Sequence, residues 1–336
     1  MTPVELSRTV LRAVRCAVDQ GELSVVVPAR AVVTPPGPGG SGDFATNIAL
    51  QLARPAGRPP RQVAEILRPH LSRTEGVAAV EITGPGFLNI RLDRAATTAL
   101  VRRIRNQGQG HHQPPAEPPY GHTTTLTGEV LRLRIPYDIR AEVVAEALAR
   151  IVATQGGRVE VDHARPGEPV DLRPVPAPED PAPLGPDALR WALLHPAAHD
   201  RPRITADLLV QRASNPLFRV RYAHARARAL TRNAAALGFT GDPGDPNSPA
   251  DSDLLGALSE YPHVLTLAAT QHAPDRLARH LLVVADALLA FQDTVLPRGD
   301  EKPSAAHRAR LALAEAAGTV LAGGLSLLGI DAPEYL

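Results

Sequence analysis

The sequence has very few cysteine, lysine and aromatic residues. Cys16 is the single cysteine among 336 residues, which excludes an intramolecular disulfide and any zinc site built from several cysteines. Lys302 is the single lysine among 36 basic residues, so the rest are arginines. Aromatic residues make up 3% of the chain. The hydrophobic cores must therefore be built from Leu, Val and Ala.

The chain also lacks a strong net charge and a long apolar run. Its formal net charge is +1, so any nucleic-acid binding has to come from local basic patches. No run of residues has the length and hydrophobicity of a membrane span. Residues 1–14 have an amphipathic helical pattern, unlike that of a signal peptide. We therefore expect a soluble, cytoplasmic protein with no membrane partner, and the sequence predicts no cofactor.

Residues 1–105 have the pattern of a mixed α+β unit. Hydrophobic periodicity of about 3.6 residues predicts helices, and alternation predicts strands. The predicted helices cover 6–18, 58–71 and 95–105, with a further helix opening at 43, and the predicted strands cover 23–33, 77–82 and 87–92. Gly84-Pro85-Gly86 predicts a turn between the last two strands.

Residues 106–127 are rich in Pro, Gly, His and Gln and have no periodicity, which is typical of a linker or a disordered loop. His111, His112 and His122 in this segment are possible metal ligands. No acidic or cysteine partner lies nearby at ligand spacing. The sequence therefore predicts no metal site.

Residues 128–184 predict a small strand–helix–strand unit, with strands over 130–135 and 158–161 and a helix over 141–155. The remainder of the chain predicts a helical bundle. Its helices cover 187–194, 206–236, 252–267, 275–291 and 305–323. The second of these is interrupted or bent at Asn215-Pro216, because proline removes a backbone donor.

Two rows of arginines lie on the helix that follows Pro216. Arg219, Tyr222 and Arg226 share one face at i, i+3 and i+7. Arg221, Arg228 and Arg232 lie on a neighbouring face. Such a surface suits a phosphate backbone and a stacked base. The alternative is an ordinary solvated face in an arginine-rich sequence.

The same region resembles a known family. Asp187-Ala188-Leu189-Arg190 and the run NPLFRVRYAHAR at 215–226 are similar to the C-terminal anticodon-binding domain of arginyl-tRNA synthetases, which is named for the DALR tetrad. The resemblance continues to the last residue. It implies an all-α domain that contacts tRNA through Asn215, Arg219, Tyr222 and Arg226.

The chain departs from this family pattern in its last fifty residues. Gln292 stands where the family usually has tyrosine, and two residues are missing before Val295. The chain ends in Leu336, where the family commonly has a methionine packed near the anticodon. These departures weaken parts of the anticodon-contacting surface that the resemblance implies.

The N-terminal unit resembles the same family. The segments GDFATNIALQLARPAGRPPRQVA at 42–64 and GPGFLNIRL at 84–92 are similar to signatures of its N-terminal additional domain, which contacts the tRNA D-loop. The resemblance implies tRNA contacts by Phe87, Asn89 and Arg91. A flat ring can stack on a flipped base and a carboxamide can read its edge. The alternative is that Phe87 is a core residue.

Residues 128–184 resemble the opening of the family's Rossmann-type catalytic domain, but the catalytic signatures are absent. In the family a His-x-Gly-His loop stabilises the ATP phosphates. Here Ile135, Pro136, Tyr137 and Asp138 occupy those positions, and an aspartate would repel a triphosphate. A second family signature, a mobile loop with lysine before the DALR helix, is replaced by the proline-rich, acidic, lysine-free segment 170–186.

We therefore predict an α+β protein in four segments. An arginyl-tRNA synthetase N-terminal-like, D-loop-binding α/β domain covers 1–105, and a linker covers 106–127. A collapsed, vestigial Rossmann-like strand–helix–strand remnant of the catalytic domain covers 128–184. A C-terminal all-α DALR anticodon-binding-like helical domain covers 185–336.

The predicted function is that of a truncated arginyl-tRNA synthetase paralogue, a pseudoenzyme without catalytic residues. We expect it to bind tRNA, arginine tRNA foremost, and to present it to a partner such as a tRNA-modifying or tRNA-using enzyme. One alternative is a protein–protein scaffold that has lost RNA binding. A second is residual arginine-tRNA ligase activity, with an adenylate site rebuilt from Arg132, Arg134, Tyr137 and Asp138.

Overall fold

The computed structural model describes residues 1–37, 40–108, 118–165, 167–244 and 249–336. The chain divides into two compact units, Met1–Leu100 and Val101–Leu336. Both contain helices and strands, and the predicted α+β class is confirmed. None of the helices in the described residues is long and apolar enough to cross a membrane.

The N-terminal unit contains a small antiparallel sheet and several helices. In chain order the elements are α1 (Pro3–Asp19), β1 (Val33–Thr34), β2 (Phe44–Thr46), α2 (Ile48–Ala56), α3 (Pro60–Ser72), β3 (Val77–Thr83), β4 (Phe87–Leu92) and α4 (Arg94–Gly108), of which α4 continues into the second unit. The strands are ordered β1-β2-β4-β3, and every pair is antiparallel.

One face of this sheet forms the core of the unit. Leu88 and Ile90 of β4 are fully buried, together with Leu6 of α1 and Leu67 of α3. Successive strand residues point to opposite faces, so Phe87, Asn89 and Arg91 lie on the other side. The sheet thus presents these three side chains away from the helices.

Two of the elements predicted in this unit are wrong. The strand predicted over 23–33 is reduced to Val33–Thr34. Pro28 has no backbone N–H to donate to a ladder, and Val26 in the apolar run is 89% exposed. The helix predicted to open at 43 begins instead at Ile48. Asp43 Oδ2 accepts a hydrogen bond from Leu92 N (2.7 Å), and the next residues form β2.

The second unit begins with a parallel strand pair. Strands β5 (Val130–Ile135) and β6 (Arg158–His163) are parallel neighbours, connected by α5 (Ile139–Thr154). Helix α5 is buried along most of its length and packs against helices of the bundle. Helix α5 therefore anchors this strand pair in the second unit.

The bundle consists of α6 (Gly185–Leu194), α7 (Pro216–Ala236), α8 (Pro249–Thr270), α9 (Asp275–Phe291) and α10 (Ala305–Leu327). Its core is made mainly of Leu and Ala, as the scarcity of aromatics predicted. The helix predicted over 206–236 is wrong in its first ten residues. A short 3-10 turn covers Ala206–Leu209, and the α-helix begins only at Pro216, a position where the missing N–H is tolerated.

The composition of segment 106–127 predicts a linker or a disordered loop. Residues 109–117, with His111 and His112, lie outside the described residues. The part after them packs into the second unit. Tyr120 is 5% exposed, donates its hydroxyl to Leu258 O (2.8 Å) and stacks on Tyr261.

Candidate nucleic-acid interfaces

The outward face of the N-terminal sheet carries a partly exposed aromatic ring. Phe87 begins β4 and is 40% exposed. The preceding turn fixes its position. Gly86 has φ +143°, and a Cβ there would lie 2.9 Å from the backbone C and O of Pro60. The turn is therefore seated on the first residue of α3, so the ring is presented by a rigid element.

Asn89 lies on the same face as Phe87 but is only 2% exposed. Its Nδ2 donates to Thr83 Oγ1 (2.7 Å). The loop before β2 covers its oxygen, since a Cβ on Gly40 would lie 3.1 Å from Asn89 Oδ1. Asn89 can therefore meet a base only if this loop moves, and in the structure it supports the surface beside Phe87.

Arg91 is the charged member of this face. Its Nη2 lies 3.8 Å from Glu81 Oε1, and both side chains are more than half exposed. Exposed pairs of this kind contribute at most about 1 kcal/mol. A phosphate could therefore replace Glu81 as the partner of Arg91 at little cost.

In the bundle, Asn215 has a structural position. It is 5% exposed and caps α7, with its Oδ1 accepting from Leu217 N (3.0 Å) and Phe218 N (3.3 Å). Its Nδ2 donates to Leu208 O (2.8 Å) and Val210 O (2.9 Å). All of this amide's main hydrogen-bonding capacity is used within the protein. Asn215 thus positions α7, and a direct tRNA contact by its side chain would break the cap.

Tyr222 is the exposed aromatic of α7. Its side chain is on the surface, with 37% exposure, and its ring stacks on Phe218 at a centroid distance of 5.5 Å. Arg219 lies on the same face, with its Nε 3.5 Å from Asp286 Oδ1 of α9. Two stacked rings beside a half-exposed arginine form a surface on which a base can stack.

Arg226, the third member of this face, is hydrogen-bonded to Gln292, which stands where the family usually has tyrosine. Its Nε donates to Gln292 Oε1 (2.7 Å). A glutamine can accept this hydrogen bond, whereas a tyrosine at the same place would also offer a ring. The substitution therefore holds Arg226 in place and removes an aromatic group from the surface.

The neighbouring arginine row is largely occupied by acidic partners within the protein. Arg228 donates to Glu334 Oε1 (3.0 Å), and Arg232 lies 4.0 Å from Glu334 Oε2 and over the Tyr335 ring. Arg221 pairs with Asp187 Oδ2 (3.4 Å), so the first residue of the DALR tetrad ties α6 to α7. These contacts leave less free positive charge on α7 than its sequence indicates.

In the loop between β5 and α5, the carboxylate of Asp138 occupies the N-terminus of the helix. Asp138 caps α5, accepting from Arg140 N (3.0 Å) and Ala141 N (3.1 Å) through Oδ1. A helix N-terminus is a ready anion site, and here Asp138 fills it. Tyr137 is 79% exposed and stacks on His163 at 4.4 Å. The Asp138 carboxylate thus occupies two of the backbone donors that a phosphate would use in the first turn.

Sequence reasoning missed Arg140, which is fully buried. Its guanidinium donates to five backbone carbonyls at 2.6–3.0 Å, those of Val175, Leu193, Pro196, Ala197 and Asp200. Burial is the main cause that lowers its pKa. The sequence contains one signal of this burial. Arg140 is four residues before Val144, so both lie on the apolar stripe of α5.

The segment 170–186, Lys302 and His122 also lie within the described residues. The segment 170–186 contains no lysine, and Lys302 is exposed. Burial lowers the pKa of His122. Within the described ranges no three His, Cys, Asp or Glu side chains are grouped as metal ligands.

Comparisons with protein families match both ends of the chain. Residues 8–92 match the arginyl-tRNA synthetase N-terminal domain, and residues 220–336 match the DALR anticodon-binding domain. Two regions of the chain, together about three fifths of its length, are thus similar to domains of arginyl-tRNA synthetases. The first match contains the Phe87 face of the sheet, and the second contains Tyr222 and Arg226. Neither match includes residues 128–184 or the DALR tetrad itself.

Similar proteins of known name are arginine–tRNA ligases. That of Renibacterium salmoninarum is 27% identical over an alignment of 559 positions that covers 100% of both chains. That of Clavibacter sepedonicus is 40% identical over 159 residues, which is 46% of this chain and 29% of that protein. Since this chain has 336 residues, much of the longer alignment has no counterpart in it.

Two solved structures have a similar fold. The arginyl-tRNA synthetase of Thermus thermophilus matches with a TM-score of 0.67 at 16% identity, with 100% of each chain covered. That of Plasmodium falciparum matches with a TM-score of 0.69 at 9% identity, with 99% of each chain covered. At these identities the likeness concerns the fold alone.

Proposed function

We propose that this chain is a non-catalytic arginyl-tRNA synthetase-like protein, a truncated paralogue that binds tRNA and presents it to a partner. The tRNA is that of arginine, and the partner is a tRNA-modifying or tRNA-using enzyme of the cytoplasm. Phe87 of the sheet and Tyr222 of α7 carry the proposal. Each is an exposed ring with an arginine nearby, in a domain of the type that arginyl-tRNA synthetases possess.

The absence of catalysis is supported by the closed N-terminus of α5. Asp138 binds the two backbone N–H groups that could otherwise hold a phosphate, and its charge repels an ATP phosphate. The lysine-free segment 170–186 supplies no compact ammonium group, which arginine does not replace without a change of geometry. Only 57 residues (128–184) separate the linker from the DALR helix, which supports a collapsed catalytic domain.

The proposed tRNA contacts divide into direct and supporting roles. Phe87 and Tyr222 stack on bases, whereas Arg91, Arg219 and Arg226 bind phosphates. Two further residues support them: Asn89 from beneath the Phe87 surface, and Asn215 as the cap of α7.

A scaffold that has lost RNA binding is the second candidate. It is favoured by the acidic partners of Arg228 and Arg232 and by Gln292 in place of an aromatic residue. It predicts a constitutive protein partner and no salt-dependent binding of tRNA. The proposal predicts binding that weakens as salt rises, because each phosphate contact releases counterions.

The test has two parts. Total tRNA is passed over the immobilised full chain at about 50 mM and about 200 mM salt, and the retained RNA is sequenced. Enrichment of arginine tRNAs at low salt supports the proposal, and retention without enrichment or no retention contradicts it. The second part is ATP–pyrophosphate exchange with arginine and tRNA, in which any exchange above the protein-free rate would restore the ligase alternative.

A further inference from the structure

A cleft of about 720 Å³ lies between the end of α6 and the segment leading into α7. Its walls include Trp191 of α6, His195 directly after that helix, several residues between Asp200 and Pro216, and Arg279 of α9. The volume lies within the range of small-molecule sites, roughly 300–1,000 Å³. Phe87, Arg219 and Tyr222 do not line it, so it is separate from the stacking surfaces proposed for tRNA.

The lining of this cleft has a surplus of positive charge. Four arginines face two aspartates, namely Arg201, Arg203, Arg212 and Arg279 against Asp200 and Asp207. Arg212 pairs with Asp207, and Arg279 lies 3.2 Å from Asp275 and 4.0 Å from Asp200. In the described part of the chain, Arg201 and Arg203 have no ion pair within 4.0 Å. Their charges are available to a ligand.

A buried donor without a partner lies in the same wall. Trp191 is 1% exposed, and its Nε1–H has no hydrogen-bond partner in the described residues. Its ring stacks on His195 at 5.2 Å. A buried unpaired donor costs about 1–3 kcal/mol, and such groups are rare in native proteins. An acceptor atom supplied by a ligand would remove this penalty.

The backbone at the base of the cleft offers few acceptors. The carbonyls of Pro196, Ala197 and Asp200 already accept hydrogen bonds from Arg140. Burial lowers the pKa of His195, and Arg279 lowers it further. The cleft therefore presents donors and positive charge, which is the complement of an anion.

We propose that this cleft binds a phosphate group, held by the guanidinium groups of Arg201 and Arg203 and by the indole Nε1–H of Trp191. The phosphate comes either from a small phosphorylated molecule of about nucleotide size or from the backbone of bound tRNA. Arginine suits phosphate because its planar fork donates two parallel hydrogen bonds. The inference does not depend on the proposed tRNA binding, since a free phosphorylated ligand would use the same groups.

The single tryptophan provides a direct readout. The full chain, labelled with ¹⁵N, is titrated with inorganic phosphate, pyrophosphate and AMP while the one indole N–H signal is followed by NMR. We expect a saturable shift of this signal. The Arg201→Ala/Arg203→Ala variant should bind the same probe at least tenfold more weakly. The matched control Arg8→Ala/Arg12→Ala removes two exposed arginines of α1 and should bind as the unmodified chain does.

Trp191→Phe keeps an aromatic ring and removes the donor. Calorimetry of this variant should show about tenfold weaker binding of the best probe. A titration with total tRNA forms the last arm. A saturable indole shift with tRNA, far stronger than with the small probes, assigns the phosphate to RNA. A stronger shift with AMP or pyrophosphate assigns it to a free ligand, even if tRNA does not bind.

Two results would overturn the inference. One is the absence of any indole shift with phosphate, pyrophosphate, AMP and tRNA alike. The other is equal affinity in the Arg201→Ala/Arg203→Ala variant and in the Arg8→Ala/Arg12→Ala control. Either would mean that the orphaned indole donor and the unpaired arginines do not form a site.

Discussion

At the scale of single residues, Arg140 fixes parts of the second unit that are far apart in the sequence. Its guanidinium binds carbonyls from residue 175, from the end of α6 and from the segment that follows α6. A buried cation is costly unless it is fully hydrogen-bonded, and here all five donors of the group are used. Arg140 therefore stabilises the segment between β6 and α7, which has little regular structure.

Replacing Arg140 should destabilise the second unit strongly. Arg140→Ala leaves buried carbonyls without a donor and opens a cavity, so we expect the free energy of unfolding to fall by about 3 kcal/mol or more. Urea unfolding followed by circular dichroism measures this change. Arg158→Ala serves as the control, because that side chain is 70% exposed, and its effect should stay within about 0.5 kcal/mol. Equal effects of the two variants would refute this role.

Asn215 gives a second prediction at this scale. Asn215→Ala removes two cap acceptor contacts and two donor contacts, so the second unit should lose about 1–2 kcal/mol. Asn233→Ala, an exposed position on the same helix, is the matched control and should be near neutral. If both variants unfold at the same urea concentration, the cap does not stabilise α7.

The residue roles were only partly predictable from sequence. The alternation of β4 correctly placed Phe87 and Asn89 on one face, but sequence does not show that the loop carrying Gly40 covers Asn89. The NP dipeptide marks the start of α7, yet the Nδ2 bonds of Asn215 depend on the fold of residues 208–210. Tertiary contacts decide such details, and local patterns do not encode them.

At the scale of elements, the N-terminus of α5 determines what the β5–α5 loop can bind. Asn and Asp are about equally good caps, and Ala is much poorer. We therefore expect Asp138→Asn to leave stability nearly unchanged and Asp138→Ala to lower it by about 1 kcal/mol in urea unfolding. A large loss in Asp138→Asn would show that the charge of Asp138, and not its capping, stabilises the helix.

Helix α9 carries a buried histidine that predicts a pH dependence. Burial lowers the pKa of His280 from 6.5 to about 4. In the unfolded chain the group takes up a proton near pH 6.5. The unfolded state thus binds more protons between pH 6.5 and 4, and stability falls as the pH decreases through that window.

Unfolding of the His280→Gln variant should depend less on pH. Between pH 7 and pH 4.5 we expect its Tm to fall less than that of the unmodified chain, because glutamine does not titrate. His199→Gln is the matched control, since that side chain is 87% exposed. A parallel profile for His280→Gln and the unmodified chain would contradict the assignment.

Most helices and strands were predictable because their periodicity is strong, as in 58–71 and 87–92. The two wrong predictions in the N-terminal unit concern segments whose structure depends on contacts distant in the sequence. The apolar run at Val25–Val27 resembles a strand, yet a strand exists only where a neighbour accepts its hydrogen bonds. Asp43 resembles a helix cap, but its carboxylate binds the backbone of β4, a residue 49 positions away.

At the scale of the whole molecule, the chain has two regions, 8–92 and 220–336, that are similar to domains of arginyl-tRNA synthetases. Phe87 in the first region and Tyr222 in the second are exposed rings that can stack on a base. If one tRNA contacts both, the second contact is intramolecular and raises the overall affinity. Loss of either ring should then weaken binding of the whole tRNA. In a protein with a single RNA surface, only the loss of the ring on that surface would weaken binding.

The most direct test of this account is the affinity of the full chain for purified arginine tRNA in Phe87→Ala, Tyr222→Ala and the double variant. Tyr137→Ala, which removes an exposed ring outside both surfaces, is the matched control. Base–aromatic stacking contributes about 1–3 kcal/mol per base. We therefore predict that Kd rises by about 5-fold or more in each single variant, further in the double variant, and not in the control. Unchanged binding in both single variants would contradict the claim that this protein holds tRNA through these two surfaces.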